Sequence, residues 1–410
     1  MADLEHPAGW DSAAEYEVIA TREEYLAATE RLAAGTGPIA VDAERASGFR
    51  YSQRAYLIQM YRRGSGIFLF DPPAVGSFED LNDAIVEDEW VLHAASQDLA
   101  CLREVGLSPK EIFDTELAAR LLGMPRVGLG TVVEELLGIH LAKEHSAADW
   151  STRPLPQPWL MYAALDVELL VDLRNAMDEL LEKAGKKGIA EEEFRAELER
   201  EARPTRAEPW RRLSGIHSIK GLRSLAVARE LWTARDELAR SIDVAPGRLV
   251  PDQSLTAVAR AMPASKRDLA SLREFTGRAS RTEIDRWWNA IEAGRQTTDL
   301  PVLRSSGESL PPVRAWADRN PEADRRLKQA RAAVTEIAEE RNIPVENLLT
   351  PEILRRVAWA PPETIDSETV ARALSSFGAR HWQIDATAQA IAQAFVDASQ
   401  TEDTPAESDS

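Results

Sequence analysis

The first half of the chain alternates between short apolar runs and apolar positions at helical spacing. Short runs of this kind predict strands, and apolar positions three and four residues apart predict helices. The predicted strands are Pro38–Ala43, Tyr56–Met60, Gly66–Phe70, Trp90–Ala94 and Ile112–Phe113. The predicted helices lie at 97–105, 115–122, 129–137 and 159–184. This order predicts a mixed α/β domain with a central sheet.

The pattern changes in the second half of the chain. Residues 185–208 are dense in Lys, Glu and Arg, with prolines near their end, which predicts a solvated helix or linker and a domain boundary. Short helices joined by Pro, Gly and Asn turns are predicted beyond it. We therefore predict an α/β domain with a linker helix, two all-α domains and a disordered acidic tail, at 1–208, 209–298, 310–400 and 401–410.

An internal repeat relates the two helical regions. Asp243–Ala259 aligns without gaps on Asn342–Ala358. Leu249, Leu255 and Val258 then match Leu348, Leu354 and Val357. Two interpretations fit this alignment: one small helical module occurs twice, or two helical bundles share common turns.

Charge is distributed unevenly along the 410 residues. The chain carries 49 basic and 68 acidic residues, a net charge of −19, which argues against a nucleic-acid partner. Residues 1–208 have a net charge of −18 and residues 296–410 one of −7, whereas residues 209–295 have 16 basic and 10 acidic residues, a net of +6. Because local potential governs binding, the middle segment is a candidate nucleic-acid-binding region.

The composition also narrows the setting of the protein. A single cysteine, Cys101, excludes an internal disulfide framework and a multi-cysteine zinc site. The chain has no apolar run long enough to cross a bilayer, and its first residues lack the features of a secretory signal. We expect a cytoplasmic monomer with no membrane partner.

Four acidic residues and a tyrosine on the predicted strands and helices of the first domain are candidate site residues. Asp42 and Glu44 lie two apart in a strand, so their side chains project from one face and their charges repel. Asp98 follows a later strand at the start of a helix, and Tyr162 and Asp166 share one helical face at spacing i, i+4. A Mg²⁺ ion, which prefers carboxylate oxygens, removes such repulsion.

Each of these features has a plain alternative when taken singly. Two acids at a strand end can face solvent, and an acid at the start of a helix can cap it or compensate the helix dipole. A tyrosine and an aspartate on one face are ordinary in an amphipathic helix. The combination, in this order along the chain, is far more specific than any one part.

Three motifs carry a resemblance to the ribonuclease D family, which belongs to the tyrosine-containing branch of the DEDD exonucleases. They are VDAERA at 41–46, LHAASQDL at 92–99 and YAALDV at 162–167, supported by IFDTELAARLLG at 112–123. Residues 209–295 resemble the helicase-and-RNase-D C-terminal (HRDC) domain through WRRLSGIHSI at 210–219 and RELWTARDELAR at 229–240. Residues 315–398 resemble a more diverged second copy.

The resemblance implies a ribonuclease-H-like sheet that binds two Mg²⁺ or Mn²⁺ ions. It implies that Asp42, Glu44 and Asp166 hold the ion that activates water. Asp42 would also bridge to a second ion supported by Asp98, and Tyr162 would position the attacking water. The implied activity removes nucleotides from RNA 3′ ends, as in tRNA precursors, and releases 5′-monophosphates. One departure is Ala43, where many relatives carry Thr.

Two rival functions remain open at this point. One is the same chemistry on DNA, and the other is a catalytically silent RNA-binding scaffold, against which the presence of all five site residues weighs. Aromatic residues of 209–295 are expected mostly in its core, whereas its Arg excess favours phosphate contacts. The predicted contact residues are Arg211, Arg212, Lys220 and Arg223.

Overall fold

A mixed sheet lies at the centre of the first part of the protein. The computed structural model describes residues 15–141, 147–201, 207–303 and 310–400, so the predicted tail at 401–410 lies outside the described residues. The strands of this sheet are β1 Val18–Ile19, β2 Ile39–Arg45, β3 Ala55–Arg62, β4 Gly66–Phe70, β5 Glu89–Leu92 and β6 Glu111–Asp114. Their spatial order is β1-β4-β3-β2-β5-β6.

Strand β2 occupies the middle of this sheet, between β3 and β5. It pairs antiparallel with β3, where Asp42 lies opposite Gln59 and Glu44 opposite Leu57. It pairs parallel with β5, and β5 pairs parallel with β6. The apolar run at 39–41 is fully buried, as expected for a strand covered on both faces. Strands β3 and β4 pair antiparallel and form a hairpin.

Helices pack around this sheet, and the sequence predicted only those that begin after residue 96. They are α1 Arg22–Ala33, α2 Pro72–Val75, α3 Glu79–Ile85, α4 Leu99–Glu104, α5 Thr115–Leu121, α6 Leu129–Leu137, α7 Gln157–Glu168, α8 Leu170–Lys183 and α9 Lys187–Leu198. The single helix predicted over 159–184 is wrong, because the chain turns at Leu169. Helix α7 packs on β2, β3 and β4, whereas α8 packs on β2 and β5 and on helices α5 and α6. The turn at Leu169 lets α7 pack on β2, β3 and β4 while α8 packs on β2, β5 and the neighbouring helices.

The segment predicted as a solvated helix or linker does form a helix, but this helix is packed on the sheet domain rather than solvated. Helix α9 buries Ala190 and Phe194 against α5 and β6. The Phe194 ring lies 4.9 Å from the ring of Phe113, measured between centroids. Ala190 and Phe194 lie four residues apart and therefore on one face of the helix. The many charged residues around them made this apolar face hard to recognise in the sequence.

The rest of the described chain is helical. A first bundle contains α10 Leu222–Ser241, α11 Pro246–Leu249, α12 Asp252–Ala261, α13 Lys266–Ser271, α14 Arg278–Thr282 and α15 Ile284–Gln296. A second contains α16 Trp316–Arg319, α17 Pro321–Glu340, α18 Val345–Leu348, α19 Pro351–Trp359, α20 Ser367–Ser376 and α21 His381–Gln400. The prediction of short helices throughout is wrong, since α10, α17 and α21 have 20 residues each and pack lengthwise on neighbouring helices. No helix of the described ranges is both long and apolar enough to span a membrane.

The two bundles repeat one backbone pattern. Helices α10 and α17 are each followed by a residue in the left-handed conformation, Asp243 with φ 49° and Asn342 with φ 50°. A four-residue helix and then a longer helix come next in both bundles. Left-handed backbone is uncommon outside glycine, so this match supports one helical module present twice.

Both left-handed corners dock on the sheet domain. The Asp243 carboxylate accepts hydrogen bonds from Ser52 N at 2.8 Å and from the Tyr56 hydroxyl at 3.1 Å. The Asn342 amide donates to Leu122 O at 3.0 Å. Gly123 has φ +75°, and a Cβ there would lie 2.5 Å from Asn342 O, so only glycine permits this approach.

The second bundle is joined more intimately to the sheet domain than the first. Its buried apolar residues are continuous with those of the sheet domain, whereas the first bundle has a core of its own. Glu193 of α9 is the polar anchor of this joint. Its buried carboxylate pairs with Arg380 and accepts a hydrogen bond from Trp382 Nε1 at 2.8 Å.

We expect Glu193→Ala to lower the free energy of unfolding by about 3 kcal/mol, because it leaves a half-buried guanidinium and an indole N–H without their partner. Urea denaturation followed by tryptophan fluorescence measures this. Glu191→Ala, an exposed position on the same helix, is the matched control and should change stability by less than about 0.5 kcal/mol. Equal effects of the two substitutions would show that the anchor contributes nothing specific.

Candidate active site

Three carboxylates converge at the sheet centre. Asp42 and Glu44 lie on β2, and Asp166 lies on α7, which packs against that strand. Each offers a carboxylate oxygen, and these three oxygens all lie within 4.8 Å of one another. Alternation of side chains along β2 brings the first two to one face, and Ala43 between them is buried on the opposite one.

Asp98 lies beside this group. It precedes α4, but its side chain makes no capping hydrogen bond there, so the alternative of a simple helix cap is wrong. The residue is 4% exposed and its carboxylate lies 3.6 Å from Arg45 Nη2. The structure therefore brings the four predicted acids together, with Asp98 at the margin of the three-residue cluster.

The electrostatics of the cluster are unfavourable without a cation. Burial raises the pKa of all four carboxyl groups above their usual range. The charge of Asp42 raises the pKa of Glu44, Asp98 and Asp166 further. Carboxylate oxygens at this spacing suit a hard divalent cation that keeps some of its waters. The donor set thus fits Mg²⁺ or Mn²⁺.

Arg45 is a functional candidate that sequence reasoning missed. The pairing register of β2 and β3 shifts between Glu44 and Arg45, and the side chain turns towards Asp98. Its positive charge lowers the pKa of Asp42, Glu44 and Asp98, against the larger effect of burial. Arg45 lies within the VDAERA motif, so the sequence shows that it is close to the acids. The direction of its side chain depends on the register shift and could not be predicted.

Tyr162 meets the site from α7. Its hydroxyl is hydrogen-bonded to the Asp166 carboxylate, one helical turn further along. Burial raises the pKa of Tyr162, and the charges of Asp166 and Glu44 raise it further, so the hydroxyl stays protonated and is a hydrogen-bond donor at neutral pH. The tyrosine is therefore suited to orienting a polar group and unsuited to acting as an anionic nucleophile.

Asp114 positions Asp98 from a distance, and sequence reasoning missed it too. Its carboxylate accepts hydrogen bonds from Ala94 N at 3.0 Å and Ala95 N at 2.8 Å, in the turn that leads from β5 to Asp98. Ala94 is left-handed, with φ 62°, a conformation that needs such support. Asp114 also caps α5 through the backbone N–H groups of Glu116 and Leu117. Burial raises its pKa to about 6.

Two other reactive side chains lie outside the cluster. His93 Nδ1 is 2.9 Å from Thr115 Oγ1, and burial lowers the pKa of His93 to about 4, which fits a structural role. Burial raises the pKa of Cys101 to about 12. A neutral, buried thiol is a poor nucleophile.

The predicted phosphate contacts of the first bundle differ in their surroundings. The Arg211 side chain pairs with Glu208 at 2.6 Å and lies over the Trp210 ring. The Arg223 guanidinium donates to Thr297 O at 2.6 Å. Arg212 and Lys220 are exposed. The structure therefore leaves the latter pair more accessible than the former.

Comparison with known proteins defines the class. Residues 16–182 match the family model described as 3′-5′ exonuclease, and residues 224–291 match the HRDC domain. Residues 309–395 match a model described as the 3′ to 5′ exonuclease C-terminal domain, so a second HRDC copy there stays a prediction. The protein is a 3′-5′ exonuclease, a hydrolase with an α/β catalytic domain followed by helical domains.

Relatives matched over two thirds or more of this chain define the family. The chain is 32% identical over 284 residues to ribonuclease D of Pseudomonas paraeruginosa, covering 67% of this chain and 73% of that one. It is 30% identical over 318 residues to ribonuclease D of a Shewanella species, covering 76% and 78%. This chain belongs to the ribonuclease D family.

Solved structures agree with this assignment. A crystal structure of a protein from Bifidobacterium adolescentis has a TM-score of 0.86 at 38% identity, covering 94% of this chain and 98% of that one. Escherichia coli RNase D, described as an exoribonuclease involved in structured RNA processing, has a TM-score of 0.66 at 27% identity, covering 88% and 98%.

The raised pKa values predict a pH dependence of metal-induced stability. A carboxyl group whose pKa is higher in the folded than in the unfolded chain binds protons preferentially when folded, so metal-free stability falls as pH rises from about 4 through the raised values. A divalent ion replaces those protons. We therefore expect Mn²⁺ to raise Tm clearly at about pH 8 and much less at about pH 5.

Thermal denaturation with and without Mn²⁺ at both pH values provides the measurement. Asp83→Asn, at an exposed position, should keep the Mn²⁺-dependent shift, whereas Asp42→Asn should lose most of it. A shift of equal size at both pH values, or one that survives Asp42→Asn, would contradict the assignment of the cluster as a metal site.

Proposed function

We propose that this exoribonuclease removes nucleotides singly from RNA 3′ ends by a two-metal mechanism and releases 5′-monophosphates. The observation that carries the proposal is the convergence of Asp42, Glu44 and Asp166, with Asp98 beside them. The relatives support RNA as the substrate, because they are ribonucleases D and this chain matches 73% and 78% of their length. Structured RNA such as tRNA precursors is the substrate class that we favour, in keeping with the description of the Escherichia coli relative.

The four acids would divide between two ions. Asp42, Glu44 and Asp166 would hold one, and Asp42 and Asp98 the other. Two such ions, when bound, stabilise the charge that develops on the attacking and leaving oxygens of a phosphodiester. The protein's own part is to hold these carboxylates in place, which β2 does as a central strand and Asp114 does for the turn before Asp98.

Tyr162 orients the attacking water. Its protonated hydroxyl is held by Asp166, so it lies beside the group of carboxylates without competing for an ion. A fixed hydroxyl next to the reacting centre lowers the entropic cost of aligning water. This role requires the oxygen of Tyr162 and little else of the side chain.

Arg45 places positive charge on the same site. One quarter of its side chain is exposed, so the guanidinium reaches both Asp98 and the solvent from which RNA arrives. Arginine binds phosphate through paired N–H groups, and here it would contact the phosphodiester while it offsets the nearby carboxylates. The rival reading as a silent scaffold leaves this arrangement of acids, arginine and tyrosine without a purpose.

The first test is Asp42→Asn. Loss of a shared ligand should remove transition-state stabilisation and lower turnover of a labelled RNA by more than about a thousandfold. Initial rates of 5′-monophosphate release in Mg²⁺ measure it, with Asp83→Asn as the surface control. Matched DNA in the same assay separates the two nucleic acids. An Asp42→Asn rate within about tenfold of wild type, a barrier change of ~1.4 kcal/mol, would refute the metal-ligand role.

A second test is Tyr162→Phe. Without the hydroxyl, kcat should fall by about 10²–10⁴-fold, the usual range for a positioned proton-bearing group, while Mn²⁺ binding stays near normal. Calorimetric titration with Mn²⁺ and single-turnover kinetics separate the two effects. Tyr61→Phe, a half-buried tyrosine on β3, is the matched control. Unchanged kcat would make Tyr162 a packing residue.

A further inference from the structure

A cleft of about 1050 Å³ lies between the two helical bundles, away from the acidic cluster. One wall is formed by residues 211–225 of the first bundle, and the other by residues 310–319 at the start of the second. None of the five active-site residues lines it. It is therefore a separate feature of the protein.

The described lining of this cleft is basic. Five basic side chains line it, and the described lining contains no Asp or Glu; the five are Arg211, His217, Lys220, Arg314 and Arg319. Within the described ranges of the chain, Lys220, Arg314 and Arg319 are exposed and make no ion pair. Many other arginines of the bundles are paired, for example Arg356 with Glu352. Unpaired cations facing one cavity create a local positive potential.

The positive charge of the cleft contrasts with the negative net charge of residues 296–410, which form one of its walls. Residues 296–410 have a net charge of −7, yet two of their first basic residues, Arg314 and Arg319, face the cleft. From charge alone, this region was the less favoured one for phosphate contacts. The fold overrides that average because it places these arginines opposite Lys220.

Contacts within each wall fix the side chains that line the cleft. Trp316 is fully buried, donates from Nε1 to Pro311 O at 2.8 Å and lies 4.9 Å from the Trp359 ring, which fixes the wall that carries Arg314 and Arg319. Arg211 is held over the Trp210 ring on the other wall. Preformed walls avoid an ordering cost when a ligand binds.

Apolar side chains line the cleft beside the basic ones. Leu303, which is 58% exposed, contributes apolar surface together with Leu310, Pro311 and Pro312. A chain whose charged groups repeat along one side, with flat apolar groups on the other, matches this arrangement. Single-stranded RNA has this chemistry: phosphates meet cations and bases meet apolar surface.

We infer that the cleft between the bundles binds the phosphodiester backbone of a single-stranded RNA segment that lies upstream of the 3′ end being cleaved. This inference rests on the proposed action on RNA. Of the four contact residues predicted from the sequence, Arg211 and Lys220 line the cleft, whereas Arg212 and Arg223 do not. The second bundle contributes Arg314 and Arg319, so the site requires both bundles.

The test compares full-length wild type with the triple substitution Lys220→Ala, Arg314→Ala, Arg319→Ala. Binding of a fluorescent single-stranded RNA is measured in EDTA, where cleavage is absent, over a series of KCl concentrations. Each lost phosphate contact on single-stranded RNA lowers the log–log salt slope by ~0.7, so the triple variant should lose about 2 from its slope. Its loss of affinity should be larger for a long RNA than for a short one that fills only the catalytic site.

A second triple variant with the same change in net charge is the control: Lys328→Ala, Arg341→Ala, Arg372→Ala. These basic residues are exposed elsewhere on the second bundle and should leave the slope near the wild-type value. A wild-type slope in the cleft variant, or equal losses in both triple variants, would overturn the inference. Circular dichroism melting checks that both triple variants fold. If the cleft variant does not fold, the single variant Arg314→Ala replaces it, and its salt slope should fall by about 0.7.

Failure of the proposed function has a different signature. If wild-type protein leaves RNA intact in Mg²⁺ and Mn²⁺, the proposed reaction is wrong, whatever the cleft variant does. If wild type cleaves RNA and the cleft variant keeps its salt slope, only the cleft assignment fails.

Discussion

Repulsion among carboxylates at the sheet centre is the constraint on which the rest of the site depends. Asp42, Glu44 and Asp166 present oxygens within 4.8 Å of one another, in surroundings that raise the pKa of each. Arg45 offsets part of this repulsion and a divalent cation would offset the remainder. A protein can hold such a group only on a rigid base, and β2 supplies it as a central strand with neighbours on both sides.

The other supports of the site serve the same constraint. Asp114 stabilises the left-handed turn at Ala94, and this turn sets the direction in which the chain runs from β5 to Asp98. The turn at Leu169 lets α7 remain on β2 while α8 follows a different part of the sheet. Each support is itself buried, so movement of one acid requires rearrangement of the core around it.

The sequence predicted those features that depend on local spacing. Two-residue spacing in β2 and four-residue spacing in α7 indicated three acids and a tyrosine, and the place of Asp98 between a strand and a helix indicated the fourth acid. Apolar patterns indicated strands β2 to β6 and the helices between residues 97 and 184, whereas strand β1 and helices α1 to α3 were not predicted. Features set by tertiary contacts were missed. Arg45 takes its direction from a register shift, and Asp114 acts on a turn 19 and 20 residues earlier. The charges of α9 concealed its packing against the core through Phe194, because burial by a distant strand is not encoded in a local window.

The repeated corner links the helical bundles to the catalytic strand. In the first bundle, Asp243 binds Ser52 and Tyr56, which lie in and beside the connection between β2 and β3. The same β2 carries Asp42 and Glu44, so this bundle is positioned by the segment that positions the acids. In the second bundle the corresponding corner at Asn342 binds beside α5, the helix that Asp114 caps. Two corners with the same left-handed backbone, bound through different hydrogen bonds, thus hold two bundles on the sheet domain at separate places, and the basic cleft between the bundles takes its position relative to the active site from both.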